Sequence, residues 1–224
     1  DNPSMTDADP DYERRLAGLG SDSLVRAMRW GDWDVVEGAF FDIFDRPRHV
    51  IKPFAVPDSW LRFRAGDWGS AKPFSFGWYA VVQDDFVTPL GKVLPRGALV
   101  KYREWYGCKR DAQGTFIPDV GLKLDANQVG RGVKERDLDD KISYGVLDPA
   151  AFTADGGPSI AERMLAEGAS FRRADNKRVT ERGAMGGWDQ VRNRLRGDDD
   201  GRPMLFFFEN CIHTIRTLPA LQHD

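Results

Sequence analysis

The run RFRAGDWGSAKPFSFGWYAVV, residues 62–82, constrains the fold of this chain more than any other stretch. Two apolar segments, Leu61–Asp67 and Phe74–Val82, flank a turn containing Gly69, Ser70 and Pro73. A third segment, Ala98–Tyr106 (ALVKYREWY), alternates apolar and polar residues. Aromatic and β-branched residues at period two, bounded by Gly, Ser and Pro, read as strands. The connections between them are short, which predicts an antiparallel meander.

Downstream, helices and strands alternate. Residues 119–137 (DVGLKLDANQVGRGVKERD) read as a helix with Val120, Leu124, Val129 and Val133 as its apolar positions. Ile142–Leu147 (ISYGVL) reads as a short buried strand, ended by Asp148 and Pro149. SIAERMLAEG is a helix capped by Ser159 and stopped by Gly168, and ASFRRA, residues 169–174, a fifth strand. GGWDQVRNRLRG is a helix, PMLFFF an apolar strand, and NCIHTIRTLPAL a final helical or mixed segment. A meander followed by α/β alternation is the order of a ribonuclease H-like mixed sheet, α/β in class and flanked by helices. Fold analogy of this kind does not supply chemistry.

Residues 1–57 differ in character. Tyr12, Leu16 and Leu19, then Leu24, Val25 and Met28, have helical spacing interrupted by Gly18 and Gly20. Pro47, Pro53 and Pro57 predict an extended connector rather than a packed helix. With no initiator Met and an abrupt end at LPALQHD, the sequence reads as a piece of a longer chain.

Composition removes several function classes. A hydrophobic fraction of 41%, with seven Trp and fourteen Phe, is enough for a real core. The net charge of -3 leaves no global basic field, so any nucleic-acid contact must be local. Cys108 and Cys211 are far apart, and His49, His213 and His223 are isolated, which argues against a zinc site or a Ser-His-Asp triad. No apolar run reaches the ~18 residues of a membrane span. PLGKV at 89–93 lacks the upstream Gly and the following Ser or Thr of a phosphate-binding loop.

Asp67 ends the first strand and Asp148 the fourth. In a mixed sheet of this order those strands are central neighbours, and their C-terminal ends bring the two carboxylates together. Paired carboxylates attract Mg²⁺ or Mn²⁺, and two such ions roughly 4 Å apart activate water and stabilise a leaving oxygen. The plainer reading is that each Asp caps a turn. Arg172, Arg173, Lys177, Arg178, Arg182, Arg192, Arg194 and Arg196 outnumber Asp175, Glu181 and Asp189 in one region. That excess reads as phosphate contacts or as a solvated helix face. GDDDG at 197–201 lacks EF-hand spacing and reads as a solvated turn.

Several stretches together resemble tailed-phage large terminase subunits. DYERRLAGL and LVRAMRWGDWDVVEGAFFDIFD are similar to the end of that family's ATPase region and its linker. FRAGDWGSAKPFSFGWYAVV is similar to its first nuclease strand and YGVLDPAAF to its second acidic motif. GPSIAERMLAEGASFRRADNKRVTERGAMGGWDQVRNRL and PMLFFFENCIHTIRTLPAL follow in the same order.

The resemblance implies a phage or prophage DNA-packaging motor protein. Residues 1–57 would be the linker and end of the ATPase region, and 58–224 a ribonuclease H-like nuclease domain. The implied activity is metal-dependent endonuclease cutting of concatemeric double-stranded DNA, with two Mg²⁺ or Mn²⁺ ions. Asp67 would bridge both ions and Asp148 would hold one, with a third acid expected beyond Asp224. Arg172, Arg173, Lys177, Arg178 and Arg182 would grip the DNA backbone. A small terminase subunit and a portal protein are the implied partners, and the host bacterial cytoplasm the implied location. Two alternatives stand beside this one: a non-catalytic DNA-gripping or docking module, and an actin-like phosphotransferase, whose phosphate loop DWGS also resembles.

Overall fold

The computed structural model describes residues 39–154, 156–176 and 185–222. The helical spacing read over residues 12–28, and Lys177, Arg178 and Arg182, lie outside them. Strands, in chain order, are β1 (Val50–Ile51), β2 (Arg62–Asp67), β3 (Ser75–Val81), β4 (Phe86–Val87), β5 (Val93–Leu94), β6 (Leu99–Tyr106), β7 (Cys108–Arg110), β8 (Phe116–Gly121), β9 (Ile142–Leu147), β10 (Arg172–Arg173) and β11 (Leu205–Phe208). Helices are α1 (Arg46–His49), α2 (Ala126–Asp137), α3 (Ile160–Ala166), α4 (Gly187–Arg196) and α5 (Ile212–Thr217).

Seven strands form one mixed sheet in the order β1-β11-β6-β3-β2-β9-β10. β2, β3 and β6 are the expected antiparallel meander. β9 pairs parallel to β2, and β10 parallel to β9. The segment β6-β3-β2-β9-β10 is the ribonuclease H-like arrangement, extended beyond β6 by β11 and β1, both parallel.

Three local expectations change. Residues 119–121 belong to β8, not to a helix, because Gly121 N–H bonds Ala71 O and Leu122 N–H bonds Gly107 O, both sideways. The helix starts one residue after Asp125, which forms a capping box with Gln128. The fifth strand shrinks to Arg172–Arg173. The stretch read as an extended connector also contributes α1 and the edge strand β1.

The run LFFF explains how the layers are built. Phe206 and Phe208 enter one core, while Leu205 and Phe207 enter another, because successive side chains on a strand leave opposite faces. Trp78, Phe76, Val100 and Leu147 fill the first core beneath Val129 and Val133 of α2 and Met164 of α3. Phe40, Phe41, Leu195 of α4 and Ile215 of α5 fill the second. Each fully buried aromatic contributes roughly 1.5–3 kcal/mol.

Buried ion pairs bolt this sheet to its helices. Arg64 of β2 pairs with Asp137, the last residue of α2, whose other oxygen accepts the Trp78 indole N–H at 2.9 Å. Asp140 receives Arg62 at 3.2 Å, Arg103 at 2.8 Å and the Tyr102 hydroxyl at 3.0 Å. On the other face Glu104 accepts from the first turn of α5, at 2.6 Å from His213 N and 3.1 Å from Thr214 N. Burial alone would lower the pKa of Lys101 beside it, but Tyr79 and Glu104 outweigh burial and hold it raised.

Candidate active site

The pairing of β2 with β9 decides where the two acids lie. Gly66 is in register with Leu147. The next residues, Asp67 and Asp148, therefore leave the C-terminal ends of neighbouring parallel strands, whose axes are about 4.8 Å apart. In open α/β sheets this is the edge at which ligands bind. Gly69 lets the chain turn away after Asp67: a Cβ there would stand 2.5 Å from the Lys72 carbonyl oxygen.

Asp148 does cap a turn. Its Oδ1 accepts the Ala150 N–H at 2.8 Å and opens the 3₁₀ turn Pro149–Phe152. Its Oδ2 accepts from the Asn176 amide at 3.4 Å. A carboxylate offers about four lone-pair sites, so two such bonds orient the group and leave capacity for a cation. The structural reading and the functional one are compatible at this residue.

A cleft of ≈ 480 Å³ is lined by Gly66, Asp67, Asp148, Ala174, Asp175, Asn176, Gly187 and Trp188. It gathers the ends of β2 and β9, the loop after β10 and the start of α4. Sequence reasoning missed Asp175, treating it only as a countercharge to nearby arginines. The available signal was that FRRAD, residues 171–175, ends as FRAGD, residues 63–67, does. Among the described residues, no three His, Cys, Asp or Glu side chains converge closely enough to form a metal-ligand set.

The donors around this cleft are oxygens: three carboxylates and one side-chain amide. That chemistry suits a hard divalent cation such as Mg²⁺ or Mn²⁺ rather than zinc. The softer groups lie elsewhere and are structural. Cys211 is buried, which pushes its thiol up to about 12. His49 is buried between Asp45 and Leu195, and burial holds its pKa below the usual value.

The structure separates Arg172 from Arg173. They pair with Val146 and Leu147 and so leave opposite faces of the sheet. Arg173 lies over Phe152 at 4.9 Å and donates to Pro149 O at 3.3 Å, beside the turn that Asp148 opens. Arg172 covers the Tyr144 ring at 4.0 Å. Tyr144 in turn stacks on Phe63, and Phe63 on Tyr79, each at 5.1 Å. Further along the basic region, Arg192 pairs with Asp42 at 2.8 Å and Arg194 donates to Gly97 O at 3.2 Å.

No protein-family model and no curated protein matches the chain. Solved structures do. The large terminase of a thermophilic bacteriophage, in complex with ADP, aligns with a TM-score of 0.55 and 17% identity over 96% of this chain and 44% of that one. A second structure of the same large terminase gives 0.54 and 16% over 96% and 45%. The chain has the fold of a phage large terminase region. It spans less than half the length of that terminase. The P22 large terminase nuclease domain aligns with a TM-score of 0.46 and 16% identity over 80% of this chain and 78% of that domain. Within this terminase-like fold, no helix among the described residues is long and apolar enough to cross a membrane.

Proposed function

We propose that this chain is the nuclease region of a tailed-phage or prophage terminase large subunit. Its activity would be metal-dependent endonucleolytic cutting of concatemeric double-stranded DNA during genome packaging. The observation that carries this reading is the placement of Asp67 and Asp148 at adjacent parallel strand ends in one open cleft. Carboxylates crowded around a cleft repel a phosphodiester unless cations stand between them.

Asp67 and Asp148 would hold Mg²⁺ or Mn²⁺. When bound, such an ion supplies charge neutralisation at the phosphoryl oxygens and makes water a stronger nucleophile. The chain's own residues do the positioning. The Ala150 N–H and the Asn176 amide hold the Asp148 carboxylate in one orientation. The turn at Gly69 keeps Asp67 at the strand end. Hydrolysis adds water across one P–O bond and needs no nucleophilic side chain, in keeping with the protonated, buried thiol of Cys211. Arg173, beside the Asp148 turn, and Lys177, Arg178 and Arg182 would neutralise backbone phosphates without reading sequence, while Arg172 leaves the opposite face of the sheet. Double-stranded DNA, a small terminase subunit and a portal protein are the partners this role entails, in the host bacterial cytoplasm.

The test is nicking of supercoiled plasmid with Mn²⁺ or Mg²⁺, alongside Mn²⁺ binding followed by electron paramagnetic resonance. Asp67→Asn and Asp148→Asn should each lower cutting at least about a hundredfold, the scale of losing a metal's electrostatic contribution. Both should also weaken Mn²⁺ binding. Wild-type cutting by either variant sinks the assignment. DNA binding with no Mn²⁺ uptake would instead mark a gripping module.

A further inference from the structure

β1 ends the sheet on the β11 side, and among the described residues no strand pairs with its other edge. Ile51 O accepts the Glu209 N–H at 3.0 Å, so Ile51 turns its main-chain groups toward β11. Its neighbours Val50 and Lys52 turn theirs the other way, as alternate residues of an edge strand do. The Val50 N–H is taken by Arg46 O of α1. The Val50 carbonyl and both main-chain groups of Lys52 face the open side, and Pro53 then ends the run.

A groove of ≈ 440 Å³ lies along this edge. Residues 50–53 form one side of it, and residues 88–92, the turn of the β4–β5 hairpin, the other. Its walls are aliphatic side chains, prolines and one threonine. Its charged residues are Lys52 and Lys92, and among the described residues no carboxylate lines it. Lys92 Nζ donates to Pro47 O at 3.1 Å and Arg48 O at 2.9 Å, which ties the hairpin turn to α1 and fixes the width of the groove. Phe86, at the base of the hairpin, stacks on Phe54 at 5.2 Å. Val87, Leu90 and Val93 of the same hairpin are 61%, 71% and 48% exposed. Single exposed apolar side chains are ordinary, but three on one hairpin beside an apolar groove form a patch.

We propose that this edge is a docking site for an extended acidic peptide of a protein partner. The peptide adds as a strand beside β1, with apolar side chains in the groove and carboxylates toward Lys52 and Lys92. Charge complementarity selects that occupant, because the groove's charges are all positive on a chain whose net charge is -3. The same lysine works against a second copy of this chain, since a two-fold pairing of β1 edges sets Lys52 against its own copy. In strand addition, main-chain bonds supply affinity and pockets for alternate side chains supply specificity. Four strand spacings, ~19 Å, separate β1 from β2, so docking here is independent of the nuclease reading.

The experiment measures anisotropy of fluorescein-labelled hexapeptides on the full chain. One alternates glutamate with valine, and a second alternates lysine with valine. Two more are the glutamate–valine peptide N-methylated at alternate amides, one at the valines and one at the glutamates. The acidic peptide should bind with a Kd below about 100 μM, and the lysine peptide at least about tenfold more weakly. One methylated peptide should lose binding at least about tenfold and the other keep it, because only alternate amides of an added strand face β1. Lys52→Glu should weaken the acidic peptide at least about tenfold and strengthen the lysine peptide. Leu90→Ser should weaken both. Lys52 and Leu90 are exposed, so both variants should melt as the wild type does by circular dichroism. No binding of the acidic peptide overturns the proposal, as does equal binding of the glutamate and lysine peptides. So does acidic-peptide affinity unchanged by Lys52→Glu, or equal affinity of the two methylated peptides. A dimer in sedimentation velocity that Leu90→Ser dissolves would give the edge to a second copy and also overturn it.

Discussion

Asp137→Ala should be among the most damaging single changes in the molecule. Arg64 and Asp137 are 3% and 4% exposed, so neither charge has useful access to water. The Arg64 guanidinium donates to Asp137 and, at 3.0 Å, to Ser170 O. Removing the carboxylate leaves that cation buried without its counter-ion, which costs about 3–5 kcal/mol. It also orphans the Trp78 indole N–H, a further loss of about 1–3 kcal/mol that is not independent of the first. Lys134, 3.6 Å from Asp137 and 56% exposed, contributes little. At ~2–4 °C per kcal/mol for a domain of this size, a loss of ~4 kcal/mol lowers Tm by roughly 8–16 °C. Urea and thermal melts followed by circular dichroism measure it.

The companion variant Arg64→Met/Asp137→Asn removes both charges and keeps an amide oxygen for Trp78. It should recover most of the loss, ending within about 2 kcal/mol of wild type, because a buried pair is often replaceable although either half alone is not. A single variant that loses less than about 1 kcal/mol refutes the reasoning, as does a double variant no better than the single. The network also holds β2, so the same defect should reach Asp67 at that strand's end.

Three further outcomes are expected. His49 accepts the Asp45 N–H through Nδ1 at 2.9 Å and donates from Nε2 to Leu195 O at 2.8 Å, and burial lowers its pKa. Between that lowered value and the ordinary value of 6.5 the unfolded chain binds a proton the folded chain refuses. Stability therefore rises with pH through this window and is lost as the pH falls through it; His49→Gln should flatten Tm against pH below 6.5, and an unchanged slope there would contradict the sign. Cys211, its thiol pushed up to about 12, and Cys108, also buried, should resist iodoacetamide at neutral pH until the chain is unfolded; rapid labelling of the native protein would count against this. Gly130→Ala should destabilise by about 1–3 kcal/mol despite the better helix former. The new Cβ would lie 2.7 Å from the Met164 Cα on α3. A variant as stable as wild type in urea would show that α2 and α3 can separate freely.

Much of the fold was legible because its signals are local. Period-two alternation over 62–82 and 98–106 exposed the meander, and LFFF announced a strand buried on both faces. The misreading of 119–122 has a plain cause. Val120 and Leu124 fit a helical spacing, but between them Gly121 and Leu122 donate their backbone N–H groups to Ala71 O and Gly107 O, residues remote in sequence. At Arg172 and Arg173 period two was enough to foresee opposite faces; reading them as one charge cluster overlooked it.

The candidate site divides along the same line. The sequence by itself determined that an Asp follows each of two apolar strands, and that their order makes those strands neighbours, because strand propensity and chain order are written residue by residue. Only the tertiary structure decided that Gly66 sits beside Leu147, so that Asp67 and Asp148 leave the sheet together. It alone brought Asp175, Asn176 and Trp188 to the same cleft. Register and helix placement come from packing two cores at once, and no local pattern encodes which distant side chains that packing will turn toward one point.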